Sequence, residues 1–111
     1  LISVVVVQDG RGNLVSAEAS GHAGAGKRGA DIVCSAVTVL LRTTLSVLSV
    51  SGVSLEAGTS GRGSLGFRVT ASSVRDEALL RYAADFLVEG IGSLERESPD
   101  AVEMRVDRVD D

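Results

Sequence analysis

The chain is poor in several things at once: it has one cysteine, one histidine, one proline and no tryptophan in 111 residues. A single thiol closes no internal disulfide, and no basic, apolar, small-residue leader opens the sequence, so a reducing cytoplasm is the expected compartment. One His and one Cys do not complete a zinc site without carboxylates from elsewhere, so neither a metal nor a cofactor is expected. The aromatics are Phe67, Phe86 and Tyr82 and the formal charge is −4. That leaves neither the basic face nor the stacking platforms of a direct nucleic-acid binder. The β-branched run at residues 2–7 is far too short to span a bilayer, and no membrane partner is expected. A mildly acidic chain is weakly attracted to a basic partner, an attraction that salt screens.

What is present suffices for a single domain over residues 1–111, with 44% hydrophobic and 23% charged residues, ordinary globular usage at a near-modal domain length. Residues 1–8 are dense in β-branched side chains and end in the turn-rich Asp9-Gly10-Arg11-Gly12-Asn13. Residues 14–19 are therefore expected to return as the second strand of a hairpin. From residue 32 to 50 the apolar residues nearly encircle a helix, leaving Ser35, Thr38, Arg42, Ser46 and Ser49 as a narrow polar stripe. This predicts a largely buried helix. Residues 53–57 and 65–70 are expected to form a second hairpin around the glycine-rich turn at 58–63.

Ser73 and Asp76 resemble a capping box. The helix they open is expected to turn Val74, Ala78, Phe86, Leu87, Ile91 and Leu94 inward and to stop near Pro99. Strict alternation over 102–107 marks a last, half-buried strand, and the acidic residues from Glu95 to Asp111 read as a solvated end. The order ββαββαβ implies an α+β fold, a mixed and mostly antiparallel sheet packed with two helices.

The stretch from Gly21 to Ser35, GHAGAGKRGADIVCS, allows two chemistries. Gly24-Ala25-Gly26-Lys27-Arg28-Gly29 is a GxGxxG between a strand and a helix, and Gly21 to Lys27 fits GxxxxGK. Against a phosphate or nucleotide site, Arg28 stands where a Walker loop needs Ser or Thr for magnesium. The fingerprint also needs a parallel strand ending in an acid, and the nearest acid, Glu56, lies inside a predicted strand. The other chemistry is a thiol nucleophile. Helix starts lower a thiol pKa, and Cys34 follows the expected N-cap Asp31 by three residues, with His22 at the end of the second strand as a base. Backbone N–H groups of Cys34 and Ser35 are candidate oxyanion donors. A third reading makes Cys34 a small core residue and His22 an ordinary strand end.

The pattern Gly21-His22-Ala23, a short glycine-containing loop, then Gly29-x-Asp31-Ile32-Val33-Cys34-Ser35-Ala36-Val37-Thr38 resembles the signature of the ribosomal-processing cysteine proteases, the Prp family. The likeness extends over the chain in length and element order, with its specific part at residues 21–38. It implies a cytoplasmic homodimer that removes the N-terminal extension of a basic ribosomal protein, the twenty-seventh of the bacterial large subunit. It also implies Cys34 as nucleophile, His22 as its base, and Asp31 and Ser35 as supporting positions. A substrate loop of Gly21, Ala23, Gly24, Gly26 and Gly29 would order over the bound peptide. Relatives in this family carry an aromatic residue where this chain has Arg28, and Ser in place of Thr38. The rival class is a non-catalytic ribosome-associated binding module, and a phosphate-binding protein is third.

Overall fold

A computed structural model of the chain describes residues 1–21, 30–58 and 64–110, with backbone alone at residues 30 and 31. These residues form β1 (Ile2–Gln8), β2 (Leu14–Gly21), α1 (Ala30–Val50), β3 (Ser54–Gly58), β4 (Ser64–Ala71), α2 (Glu77–Glu97) and β5 (Val102–Arg108). The ββαββαβ order and the α+β class are those expected from the sequence. The strands make one five-stranded sheet in the order β3-β4-β2-β1-β5, antiparallel except where β5 runs parallel to β1.

Side-chain alternation decides which sheet face is covered. Ile2, Val4 and Val6 of β1 are buried, as are Ala17 and Ala19 of β2, Phe67 of β4 and Val102 of β5. They pack under Val33, Val37, Leu41 and Leu48 of α1 and Leu80, Ala84, Leu87 and Ile91 of α2. The residues between them, such as Glu18, Arg68 and Arg105, carry the polar open face that antiparallel sheets tolerate.

The joints follow from local chemistry. In the β1–β2 turn, the Asp9 carboxylate accepts the N–H groups of Arg11 at 2.9 Å and Asn13 at 3.0 Å. Burial pushes that carboxyl up, but these hydrogen bonds, the Asn13 side chain and the Arg11 charge outweigh it and hold Asp9 below its ordinary value. At the end of α1, Gly52 has φ +91. There the N–H of Val53 bonds the Leu48 carbonyl at 3.1 Å and that of Gly52 bonds the Ser49 carbonyl at 3.1 Å. This is a Schellman closure, with buried Val53 beside Leu48. The Asp76 carboxylate accepts the N–H of Ser73 at 2.9 Å, as a capping box requires, though a 3-10 turn (Val74–Asp76) intervenes before α2.

Two expectations about the helices need correction. The inward face of α2 runs through Leu80, Ala83, Ala84, Leu87 and Ile91, whereas Val74 is 81% exposed and Phe86 stacks outside on Tyr82 with ring centroids 6.3 Å apart. The tighter 3-10 turn displaces Val74 from the helical phase, and two alanines let the helix sit close to the sheet. Helix α1 is not largely buried: Ile32, Val39, Val47 and Val50 are exposed, because only one side of it meets the sheet. Its segment Ile32–Val50 is long and apolar enough to cross a bilayer by length and composition alone, but Val33, Val37, Leu41 and Leu48 on that segment belong to the core. Glu95 is not merely solvated, since its carboxylate accepts the Met104 N–H at 2.9 Å and so occupies a donor on the β5 edge.

Candidate active site

Strand β2 ends and helix α1 begins on the same side of the domain, and this brings their chemistry together. The last residue of β2, Gly21, has φ +94, and a Cβ there would run into the carbonyl oxygen of Leu1, so no other residue fits unchanged. Gly21 pairs with Ile2, which fixes where the chain leaves the sheet. Across a cleft of about 300 Å³ lies Cys34, half-buried, with Val37, Thr38 and Leu41 on the same side of α1. Ala19, Ser20, Gly21, Ser64 and Leu65 make the sheet wall. Cys34 touches the core yet faces this cleft, so its thiol is open to a ligand in a way that a wholly internal cysteine is not.

His22 follows Gly21 directly in sequence, but His22, Ala23, Gly24, Gly26 and Gly29 lie outside the described residues, as does the side chain of Asp31. Helix α1 begins at Ala30, which makes Asp31 its second residue rather than its N-cap and Cys34 its fifth. That start also bears on which N–H groups a helix of this length leaves without an intrahelical partner. In an α-helix the N–H groups of Cys34 and Ser35 point to the carbonyls of residues 30 and 31, so the donors with no intrahelical acceptor are those of the opening turn, residues 30–32. Ser35 is exposed and is not among the residues lining the cleft. The Thr38 hydroxyl donates to the Cys34 carbonyl at 2.9 Å, holding that turn of helix beside the thiol.

Sequence reading did not single out Thr38 and Arg42 as cleft residues. The signal was present in the polar stripe on α1, since positions four and eight after Cys34 share its side of the helix. The phosphate reading gains no support: β3 pairs with β4 and not with β2, and Glu56 is in an exposed ion pair with Arg68 at 2.7 Å. Among the described residues no three His, Cys, Asp or Glu side chains gather as a metal site would require.

A half-buried thiol on a cleft at a helix start, in a two-layer α+β domain, is the arrangement of a thiol hydrolase. Solved structures agree with the fold. A Streptococcus mutans protein, SMU.848, is 26% identical with TM-score 0.77, covering 98% of this chain and 96% of its own. An essential ribosomal processing protease Prp from Staphylococcus aureus, in complex with a substrate peptide, is 15% identical with TM-score 0.78, covering 96% of this chain and 99% of its own. The same protease with a covalently linked product peptide is 18% identical with TM-score 0.77, covering 96% and 99% respectively. No curated protein matches the chain in sequence. The family model described as cysteine protease Prp matches residues 1–103, and the chain belongs to that family of cysteine proteases.

Proposed function

We propose that this cysteine protease removes the N-terminal extension of a basic ribosomal protein, the twenty-seventh of the bacterial large subunit, through a Cys34–His22 dyad. The observation that carries the reading is that Cys34 faces a cleft whose opposite wall ends at Gly21, one residue before His22. The family match over residues 1–103 supplies the reaction class.

In the proposed reaction the Cys34 thiolate attacks the scissile carbonyl carbon and forms a C–S bond, while the carbonyl electron pair moves to oxygen. Collapse breaks the C–N bond as the His22 imidazolium gives its proton to the leaving amine. His22 then takes a proton from water, which attacks the thioester and frees the thiolate. Free N–H groups at the opening of α1 are the donors best oriented toward the oxyanion.

The reading includes a cytoplasmic homodimer. An apolar groove between α1 and α2, lined by Thr43, Val47, Leu79, Tyr82 and Phe86, lies open, with Tyr82 68% and Val47 48% exposed. Contiguous apolar surface of this kind suits a self-complementary two-fold contact. Sedimentation of the wild type is expected to show a dimer that Tyr82→Glu converts to monomer; a wild-type monomer at micromolar concentration would contradict it.

The function is tested by incubating the protein with the precursor ribosomal protein of its own organism and reading the new N-terminus by mass spectrometry. One cut is expected, absent with Cys34→Ser. A folded wild-type protein that leaves an extended precursor intact would overturn the substrate assignment.

A further inference from the structure

The sheet ends at β5, and the outer edge of that strand is closed along only half its length. The Ile2 N–H donates to the Ala101 carbonyl at 2.8 Å and the Val109 N–H to the Gln8 carbonyl at 2.9 Å. Odd-numbered residues of β5 therefore turn their backbone groups to β1, while Val102, Met104, Val106 and Arg108 turn theirs outward. The Val102 N–H is taken by the Ser98 carbonyl at 3.2 Å and the Met104 N–H by the Glu95 carboxylate at 2.9 Å. Among the described residues nothing takes the N–H of Val106 or Arg108. Val106 is 41% exposed, and a β-branched residue on an open edge is a template for another strand.

A second copy placed by a two-fold axis across this edge runs antiparallel to the first, so each residue's opposite number depends on where the axis falls. An axis at Arg105, Asp107 or Arg108 sets that charged residue against itself. An axis at Met104 calls on the Met104 and Val102 donors, which are already engaged. An axis at Val106 has neither fault. It sets Arg105 opposite Asp107 of the second copy, and the same pair recurs on the other side of the axis. These residues fall in the class of opposed pair whose backbone groups point away from each other and whose side chains lie closest. Within one chain they already attract, with the Arg105 Nε 3.1 Å from the Asp107 carboxylate. The Val106 residues exchange both backbone bonds, and each Arg108 N–H reaches a Met104 carbonyl. Arg108 then stands beside the Glu95 carboxylate of the other copy, which holds the Met104 N–H.

We propose that β5 is a self-association edge, pairing antiparallel with β5 of a second copy about a two-fold axis at Val106 and joining two sheets into one. The contact is separate from the groove between α1 and α2 and depends on neither the nucleophile nor the substrate. It takes in about five residues a side, far fewer than the 20–30 of a stable interface. Pairing is therefore expected at high protein concentration and not at micromolar.

The test takes Tyr82→Glu as the parent, to remove the groove contact, and adds Arg105→Asp, Asp107→Arg or both. Each protein is followed by sedimentation from micromolar to millimolar concentration, and thermal unfolding confirms that it is folded. The parent is expected to pair as concentration rises. Either single reversal sets like charges opposite each other on both sides of the axis and should weaken pairing by roughly tenfold or more. The double reversal restores unlike pairs and should return to within about threefold of the parent. Amide exchange in the parent should slow with protein concentration at Val106 and Arg108, the two donors that the edge leaves open. A parent that stays monomeric at millimolar concentration would overturn the proposal, as would pairing that ignores the reversals or that the double reversal fails to restore. Slowing at Val106 that follows added precursor peptide and not protein concentration would give the edge to an extended peptide and overturn self-pairing.

Discussion

Replacing Gly21 by alanine tests whether the fold and the site are joined as described. Gly21 and Gly52 have nearly the same dihedral, φ +94 and φ +91. A Cβ at Gly52 meets nothing within 4 Å, whereas one at Gly21 meets the Leu1 carbonyl oxygen, a backbone atom next to Ile2, which pairs with Gly21 in the β1–β2 ladder. Both alanine variants carry the left-handed strain, about 1–2 kcal/mol. Only Gly21→Ala adds the cost of displacing backbone, about 1–3 kcal/mol by analogy with overpacked sites. The sum for Gly21→Ala is about 2–5 kcal/mol, a large part of a stability typically near 5–15 kcal/mol. At roughly 4–8 °C for each kcal/mol in a domain of about this size, Gly21→Ala should lower Tm by about 8 °C or more. Gly52→Ala should fall by about half of that or less. Thermal unfolding by circular dichroism supplies both values. Gly21→Ala should also slow peptide cutting below saturation, because Gly21 lines the cleft and Gly52 does not. Equal Tm losses for the two variants would refute the argument that the Leu1 carbonyl dictates glycine at the end of β2.

Leu87→Ala, at a fully buried position between α2 and the sheet, is expected to cost about 2–5 kcal/mol, seen as a lower urea midpoint with an unchanged slope. Asp9 has a depressed folded-state pKa, so its contribution is present above the unfolded value of about 3.9 and is lost as pH falls through the lower folded value. Asp9→Ala should therefore destabilise by about 1 kcal/mol near neutrality, with the gap to wild type closing below about pH 4 in urea titrations. A gap independent of pH would show that the carboxylate charge is not what holds the turn. Glu95→Ala, which frees the Met104 N–H on the β5 edge, should cost about 1 kcal/mol and speed amide exchange at Met104.

Much of the architecture is written in local pattern. Alternation in Ile2, Val4 and Val6 gives β1 and its buried face; Gly52 and Pro99 mark where the helices stop. Neither the parallel pairing of β1 with β5 nor the edge position of β3 is written there, because both depend on contacts between distant segments. Leu87 and Ile91 of α2 are inward as their pattern implies, whereas Val74 lies in the 3-10 turn before the helix and Phe86, next to Leu87, is turned about 100° from it toward solvent. The exposed side of α1 was misread for a different reason, since Val39 and Val47 have core-like chemistry wherever they point, and hydrophobicity alone does not say what covers them.

The site divides the same way. Cys34 stood out by its scarcity and its place at a helix start, and the structure gives that thiol a cleft. Gly21 was read as a loop glycine, and its steric necessity appears only when the Leu1 carbonyl is seen beside it. Arg42 passed as one member of a polar stripe. Its place on the cleft depends on β4 lying across from α1, which a helical wheel does not contain.

The central claim is that Cys34 is an activated nucleophile on an open cleft with His22 as its partner. Its most direct test is the rate of iodoacetamide alkylation of the native protein at neutral pH, with adducts located by mass spectrometry, in the wild type and in His22→Ala. The account predicts rapid modification of Cys34 in the folded state, slowed by roughly tenfold or more without His22. A thiol protected until the protein unfolds, or one whose rate ignores His22, would contradict it.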